Sequence, residues 1–232
     1  MTTSSCAEKY APQSLQDVVF NDPNTEHFMH AYESGAIRCP HLMLYGSNGN
    51  GKTTVANLLA KSLSRGGGLL LNDSIEELVS RREPGQYLHN MVWAFGESGD
   101  RAVIVLNELE QFSRNLSRLW TMMDAYADKL IVIITTNEPE KFQQAVLSRC
   151  DRYAFTRITP EQFAPRAQAI LSQEGLNLSV REVSAYLEKY TGARSDVRDY
   201  LRTLDKMLSL ARTGLLDPVH AGAPRPVLAL IS

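Results

Sequence analysis

Gly46-Ser47-Asn48-Gly49-Asn50-Gly51-Lys52-Thr53 is the stretch on which the rest of the chain is read. It satisfies the pattern G-x-x-x-x-G-K-[ST] in full. It also follows the apolar run His41–Tyr45 and opens a helically patterned segment, the strand–loop–helix context that the pattern requires. Glycines let main-chain N–H groups curl around phosphate oxygens, and the start of the following helix adds partial positive charge. Lys52 is expected to neutralise the β- and γ-phosphates of a nucleoside triphosphate, and the Thr53 hydroxyl to ligate Mg2+. Asn48, Gly49, Asn50, Gly51 and Thr54 complete the expected phosphate cradle.

Outward from this loop, short apolar runs alternate with helical segments, the signature of a parallel α/β sheet. Expected strands are 41–45, 69–71, 102–106, 130–135 and 153–155, mostly continuous apolar runs as strands covered on both faces require. Asp22-Pro23 opens a helix with Phe28, Ala31 and Tyr32 inward and Gly35 beyond its end. A second helix over 53–65 carries Val55, Leu58, Leu59 and Leu63 on one stripe, and Gly66-Gly67-Gly68 stops it. A third carries Leu116, Leu119, Trp120 and Met123.

After Arg157 the strand signals vanish. Pro160 begins a helix with Phe163, Ala167, Ile170 and Leu171 inward. Ser179 and Glu182 form a capping box ahead of Val183, Tyr186, Leu187 and Tyr190. Ser195 is the expected cap of a last helix carrying Val197, Tyr200, Leu201, Leu204 and Leu208, with Gly214 as its stop. The reading is therefore an α/β P-loop domain with a five-stranded parallel sheet over 1–158, a small three-helix domain over 159–214, and a tail over 215–232. The tail's run 227–231 is apolar, and suits either a docking peptide or a cover for the helices.

A hydrophobic fraction of 44% and a charged fraction of 22% are those of an ordinary globular protein. No run approaches bilayer-spanning length and the first ten residues carry no signal-peptide pattern, so the expectation is a cytoplasmic protein with no membrane association. Cys6, Cys39 and Cys150, an odd number at wide spacings, make neither a disulfide framework nor a Cys-x-x-Cys metal site. Net charge is −2, so composition does not announce nucleic-acid binding.

The P-loop alone does not choose between kinases, GTPases and motor-like ATPases. The run Val103–Leu106 ends in Asn107-Glu108-Leu109-Glu110, where a Walker B sequence ordinarily reads Asp-Glu. A carboxylate at Glu108 can orient and polarise an attacking water. Asn107 stands where an aspartate would hold the hydration shell of Mg2+ with full charge; a neutral amide offers a weaker acceptor. ATP binding is expected to survive that change, with slower or more partner-dependent hydrolysis.

From here the residues resemble the clamp-loader branch of the AAA+ ATPases, which includes replication factor C small subunits, bacterial γ-type subunits and phage counterparts. Glu8-Lys9-Tyr10-Ala11-Pro12, with Leu15 and Asp17-Val18-Val19, is similar to the family's N-terminal adenine-pocket box, implying adenine contacts from Tyr10, Pro12, Val18 and Val19. Pro40–Gly46 resembles the strand leading into the family's P-loop, and Asn107–Glu110 its Asp-Glu-x-Asp box with both outer carboxylates altered. Thr135-Thr136-Asn137 falls where the family places sensor 1; Asn137 suits that role or a helix cap ahead of Glu138-Pro139. Ser148-Arg149-Cys150 resembles the family's Ser-Arg-Cys motif, whose arginine enters the neighbouring subunit's ATP site. Gly192-Ala193-Arg194-Ser195-Asp196-Val197-Arg198 resembles its sensor-2 segment, with Arg198 reaching the γ-phosphate; the plainer alternative pairs Arg198 with Asp196 or Asp205.

The resemblance spans about residues 8 to 212. It implies ATP and Mg2+ as cofactors and a homo- or hetero-oligomer of AAA+ subunits. It also implies a sliding clamp or other replication protein as target, and contact with the DNA backbone. For the last, residues 72–84 offer Arg81 and Arg82 among four acidic residues, which a solvated helix face explains equally well. Family members usually carry a third, collar domain, for which these 232 residues hold no segment.

Overall fold

A computed structural model of the chain describes residues 4–64, 70–71, 101–107, 121, 123–192, 194–217 and 226. The chain forms two compact units, Asp22–Thr156 and a second made of Met1–Asn21 with Arg157–Ser232.

In the first unit, five described strands form one sheet: β1 (His41–Tyr45), β2 (Leu70–Leu71), β3 (Ala102–Leu106), β4 (Leu130–Thr136) and β5 (Cys150–Ala154). Their order is β2-β3-β4-β1-β5 and every pairing is parallel. β3 and β4 are buried along their whole length, which is why they read as unbroken apolar runs. β5 begins three residues before the expected 153. It is the edge strand, so Asp151 and Arg152 face solvent and break the apolar run by which a strand is recognised.

The helix preceding β1, α2 (Pro23–Ser34), starts where the sequence predicts, with the Asp22 carboxylate accepting from the amides of Asn24 and Thr25. Gly35 ends it in the left-handed region at φ 74°. Its buried face is Thr25, Met29 and Tyr32, whereas Phe28 is 40% exposed, contrary to expectation. Phe28 falls about 40° of helix rotation beyond Tyr32, at the margin of that face, where its ring packs against those of Tyr32 and Tyr153.

After β1, α3 (Lys52–Leu63) buries Lys52, Val55, Ala56, Leu59 and Ala60. The glycines after this helix and the segment with Leu116, Leu119 and Trp120 lie outside the described residues; Met123 is buried. A one-turn helix α4 (Gln144–Leu147) leads into β5.

The second unit packs α5 (Pro160–Gln173), α6 (Val180–Tyr190) and α7 (Val197–Arg212) around Phe163, Ala167, Leu171, Leu187, Tyr200 and Leu204. The box of Ser179 and Glu182 caps α6 as predicted. Asp196, not Ser195, caps α7: its carboxylate accepts from the Asp199 amide, while the Ser195 hydroxyl accepts from the Gly192 amide. Residues 4–21, including the short helix α1 (Cys6–Lys9), belong to this unit by packing, although the order of motifs had placed them with the P-loop segment. Cys6, Tyr10 and Val19 pack into the helical core. The Cys6 amide donates to Asp205 Oδ1 at 2.9 Å, and Arg166 reaches both the Asp17 carboxylate and the Tyr10 carbonyl. Leu216 is buried in the same core and Tyr186 Oη donates to the Asp217 carbonyl, so the start of the tail covers these helices. Among the described residues no helix is long and apolar enough to cross a membrane.

Candidate nucleotide-binding site

In the first unit, the register Leu44↔Thr135 and Tyr45↔Thr136 sets the end of β1 beside the end of β4. Pairing of Leu106 with Ile134 brings Asn107 to the same edge. The polar residues that end three apolar strands are thus collected at the carboxyl ends of a parallel sheet, the crevice where open α/β sheets bind ligands.

The loop between β1 and α3 is built around its glycines. At Gly46 (φ 135°) an added Cβ would lie 2.2 Å from the Phe155 carbonyl oxygen, so only hydrogen fits. Gly49 and Gly51 take φ of 77° and 87°, the region open to glycine, and Gly51 is the residue from which α3 starts. Within this curl the Lys52 ammonium is buried and donates to the carbonyls of Gly46 and Ser47, both at 2.8 Å, and to Asn137 Oδ1 at 2.9 Å. Asn50 is buried beneath the loop; its Nδ2 donates to Ser47 Oγ at 2.7 Å and to the Phe155 carbonyl at 3.4 Å. Thr53 and Thr54 are partly exposed on the first turn of α3, and Asn48 is exposed at the loop tip.

Asn137 separates its two expected roles. The turn that follows is capped at Glu138, whose own amide donates to Thr136 Oγ1, while the Asn137 side chain is turned to Lys52. Asn107 Oδ1 accepts from the Thr135 hydroxyl at 3.3 Å. Glu108 and Glu110 lie outside the described residues, as do Arg81 and Arg82.

Arg149 sits between α4 and β5 on the same unit, and is not drawn to the P-loop. Its Nε and Nη2 donate to the two carboxylate oxygens of Asp124 at 2.7 and 2.6 Å, and its Nη1 to the Ala145 carbonyl at 2.5 Å. The paired guanidinium holds the Asp124 carboxyl below the usual carboxylate range. Asp124 escaped the sequence reading: it precedes Arg149 by 25 residues and matches no motif.

Tyr10, Pro12, Val18, Val19 and Arg198 belong to the second unit. Tyr10 Oη donates to Glu174 Oε1 at 2.6 Å, beside Lys9 on the same carboxylate at 2.5 Å. Arg198 is exposed on the first turn of α7. The carboxylates of its two alternative partners are engaged elsewhere, Asp196 with the Asp199 amide and Asp205 with the Cys6 amide. All three cysteines are buried free thiols whose pKa burial pushes up to about 12, which makes them poor nucleophiles.

The glycine conformations, the buried lysine and the helix start fit a polyphosphate. Among the described residues, the Thr53 hydroxyl and the neutral amide of Asn107 are the donors that the sequence offers to a metal ion. Mg2+ commonly keeps several waters and takes phosphate oxygens, so such a site asks few donors of the protein.

The sequence profile of the ATPase family associated with various cellular activities (AAA) matches residues 42–158. The sliding-clamp-loader large subunit of Enterobacteria phage T4 is 27% identical over 220 residues, covering 90% of this chain and 66% of its own length. A replication factor C small subunit of Methanococcus maripaludis is 28% identical over 225 residues, covering 94% of this chain and 69% of its own. Replication factor C subunit 4 of Schizosaccharomyces pombe is 26% identical over 232 residues, covering 95% and 65%. The chain spans about two thirds of the length of these curated relatives. With its phosphate loop, parallel sheet and matched profile, the chain belongs to the AAA family of ATPases, and its likeness runs to clamp-loader subunits.

Proposed function

We propose that this chain is an ATP-binding subunit of an oligomeric AAA+ machine that loads or remodels a replication protein such as a sliding clamp, hydrolysing ATP where two subunits meet. The observation that carries the reading is the contact of Lys52 with Asn137, which links the phosphate loop to the end of β4 in a chain of the AAA family. The target is inferred from the likeness to clamp-loader subunits, the sliding-clamp-loader large subunit of phage T4 among them.

In this reading the main-chain amides of 48–53 and the Lys52 ammonium hold the triphosphate, and Thr53 and Asn107 hold the metal. Mg2+ supplies neutralisation of charge on the β- and γ-phosphates. Glu108 orients a water for attack on the γ-phosphorus and takes its proton, while ADP leaves with the bridging oxygen. Asn137 positions that water or the γ-phosphate. The assignment of Tyr10, Pro12, Val18 and Val19 to the adenine, and of Arg198 to the γ-phosphate, rests on the resemblance alone. Arg149 serves the neighbour's site, where an arginine finger is worth roughly three to five orders of magnitude in rate. Contact with the DNA backbone rests on the resemblance alone.

A second reading, a nucleotide-binding regulatory subunit that hardly turns ATP over, is favoured by Asn107. The test is hydrolysis measured against protein concentration for wild type, Asn107→Asp and Glu108→Gln. A rate that climbs with concentration and falls to background in Glu108→Gln is expected. A wild type no faster than Glu108→Gln refutes the enzymatic reading, and turnover per subunit independent of dilution refutes the shared site.

A further inference from the structure

We propose that Asp124 is a positioning residue for Arg149, holding its guanidinium as a fixed fork whose outer N–H groups meet the phosphates of a neighbouring subunit's nucleotide. The proposal rests on the reading of Arg149 given above. A guanidinium carries five N–H donors in one plane. Asp124 takes one from Nε and one from Nη2, and the Ala145 carbonyl takes one from Nη1. One donor on each terminal nitrogen is left over. Donors on both terminal nitrogens of one plane can be given to the oxygens of a phosphate.

The anchors of this fork are themselves held. Asp124 follows Met123, which is 1% exposed and whose carbonyl faces His41 Nε2 at 3.4 Å. His41 Nδ1 accepts from the Val132 amide at 3.0 Å, so Nε2 carries the proton and donates to Met123. Ala145 precedes Val146, also 1% exposed. One side-chain carboxylate and one backbone carbonyl, each next to a buried residue, therefore grip the Arg149 guanidinium. The Arg149 side chain is 31% exposed, against 60% for Arg38, which meets Asp128 through a single nitrogen at 2.6 Å. Ordinary surface arginines lack this bidentate grip, and mobile ones lose conformational freedom on engaging a partner.

Pairing has an electrostatic cost. The carboxylate cancels the charge of the arginine at long range and lowers its pull on a phosphate. At contact distance the geometry outweighs this, because misplacing a transition-state contact by about 1 Å can cost about a hundredfold in rate.

The test compares concentration-dependent hydrolysis of wild type, Arg149→Ala, Asp124→Ala, Asp124→Asn and the double alanine variant, with nucleotide affinity from a fluorescent ATP analogue and thermal melts alongside. Asp124→Ala is expected to lose about tenfold to a hundredfold in rate, with affinity and melting temperature unchanged. Asp124→Asn, which keeps one acceptor oxygen, falls between. In the Arg149→Ala background, Asp124→Ala costs nothing further, as residues acting through one group are non-additive. An unchanged or raised rate in Asp124→Ala, or full additivity in the double variant, overturns the proposal and leaves hydrolysis across subunits standing. An unchanged rate in Arg149→Ala removes the shared site and this proposal with it, so the two failures are read from different variants.

Discussion

Replacing Gly46 by alanine puts one methyl group against main chain on which no rotamer can give way. The new Cβ would stand 2.2 Å from the Phe155 carbonyl oxygen and 3.0 Å from its carbonyl carbon. Relief requires the segment after β5 to retreat from the start of the loop. That segment is tied on both sides, since the Phe155 amide donates to the Tyr45 carbonyl at 2.7 Å and its carbonyl accepts from Asn50 at 3.4 Å. Gly46 is tied as well, its amide donating to the Thr136 carbonyl at 3.2 Å. Overpacking costs about 1–3 kcal/mol, a strained φ about 1–3, and each weakened hydrogen bond about 1. With one hydrogen bond weakened the sum is about 3–7 kcal/mol, a large share of the roughly 5–15 kcal/mol that stabilises a domain.

Urea unfolding read by circular dichroism gives the comparison, with Gly51→Ala as internal control. Gly51 shares the unfavourable φ, at 87°, but its Cβ would meet nothing within 4 Å, so only the conformational cost of about 1–3 kcal/mol applies. Gly46→Ala is therefore expected to be the less stable variant by about 2–4 kcal/mol, and to drag nucleotide affinity down with it. Equal stabilities for the two variants would refute the steric account of the loop.

Two further outcomes follow from the same geometry. Lys52→Ala should abolish binding of a fluorescent ATP analogue, because the loop's cation is lost together with the donor facing Asn137 Oδ1 and two carbonyls; retained affinity would place the triphosphate elsewhere. His41 is held neutral, its pKa lowered chiefly by burial from an ordinary 6.5. A depressed pKa means the unfolded chain takes up the proton first, so stability is full above about 6.5 and falls as pH drops below it. Urea midpoints should decline from pH 7.5 to pH 5 in wild type, and less steeply in His41→Gln; parallel declines would show that other groups dominate.

How far the chain was legible depended on how local each signal is. The phosphate loop, β1, β3, β4 and the capping box of Ser179 and Glu182 are written within a few consecutive residues, where periodicity and capping chemistry suffice. The start of β5 was hidden because an edge strand tolerates Asp151 and Arg152. The choice between Ser195 and Asp196 as the cap of α7 was beyond composition, since both residue types cap well and one position decides. Attachment of residues 4–21 to the helical unit, through Cys6 to Asp205 and Tyr10 to Glu174, joins segments more than 160 residues apart. The pairing of Asp124 with Arg149 is invisible for the same reason: a salt bridge leaves no mark on the spacing of its partners.

Asn107 shows how the fold bears on chemistry at the sheet edge. Its Oδ1 accepts from the hydroxyl of Thr135, a residue with no exposed surface. Aspartate would keep that acceptor and strengthen it, because a hydrogen bond to an ionised carboxylate is roughly twice as strong as a neutral one. It would lose the two amide donors and add a charge next to the proposed metal site. If Asn107 is there to serve metal and water, Asn107→Asp should leave the thermal melt near that of wild type and raise the hydrolysis rate in the presence of Mg2+. If it is there as a structural donor, the melt falls and the rate does not rise. Running both measurements on one variant therefore separates a tuned active site from a repaired one.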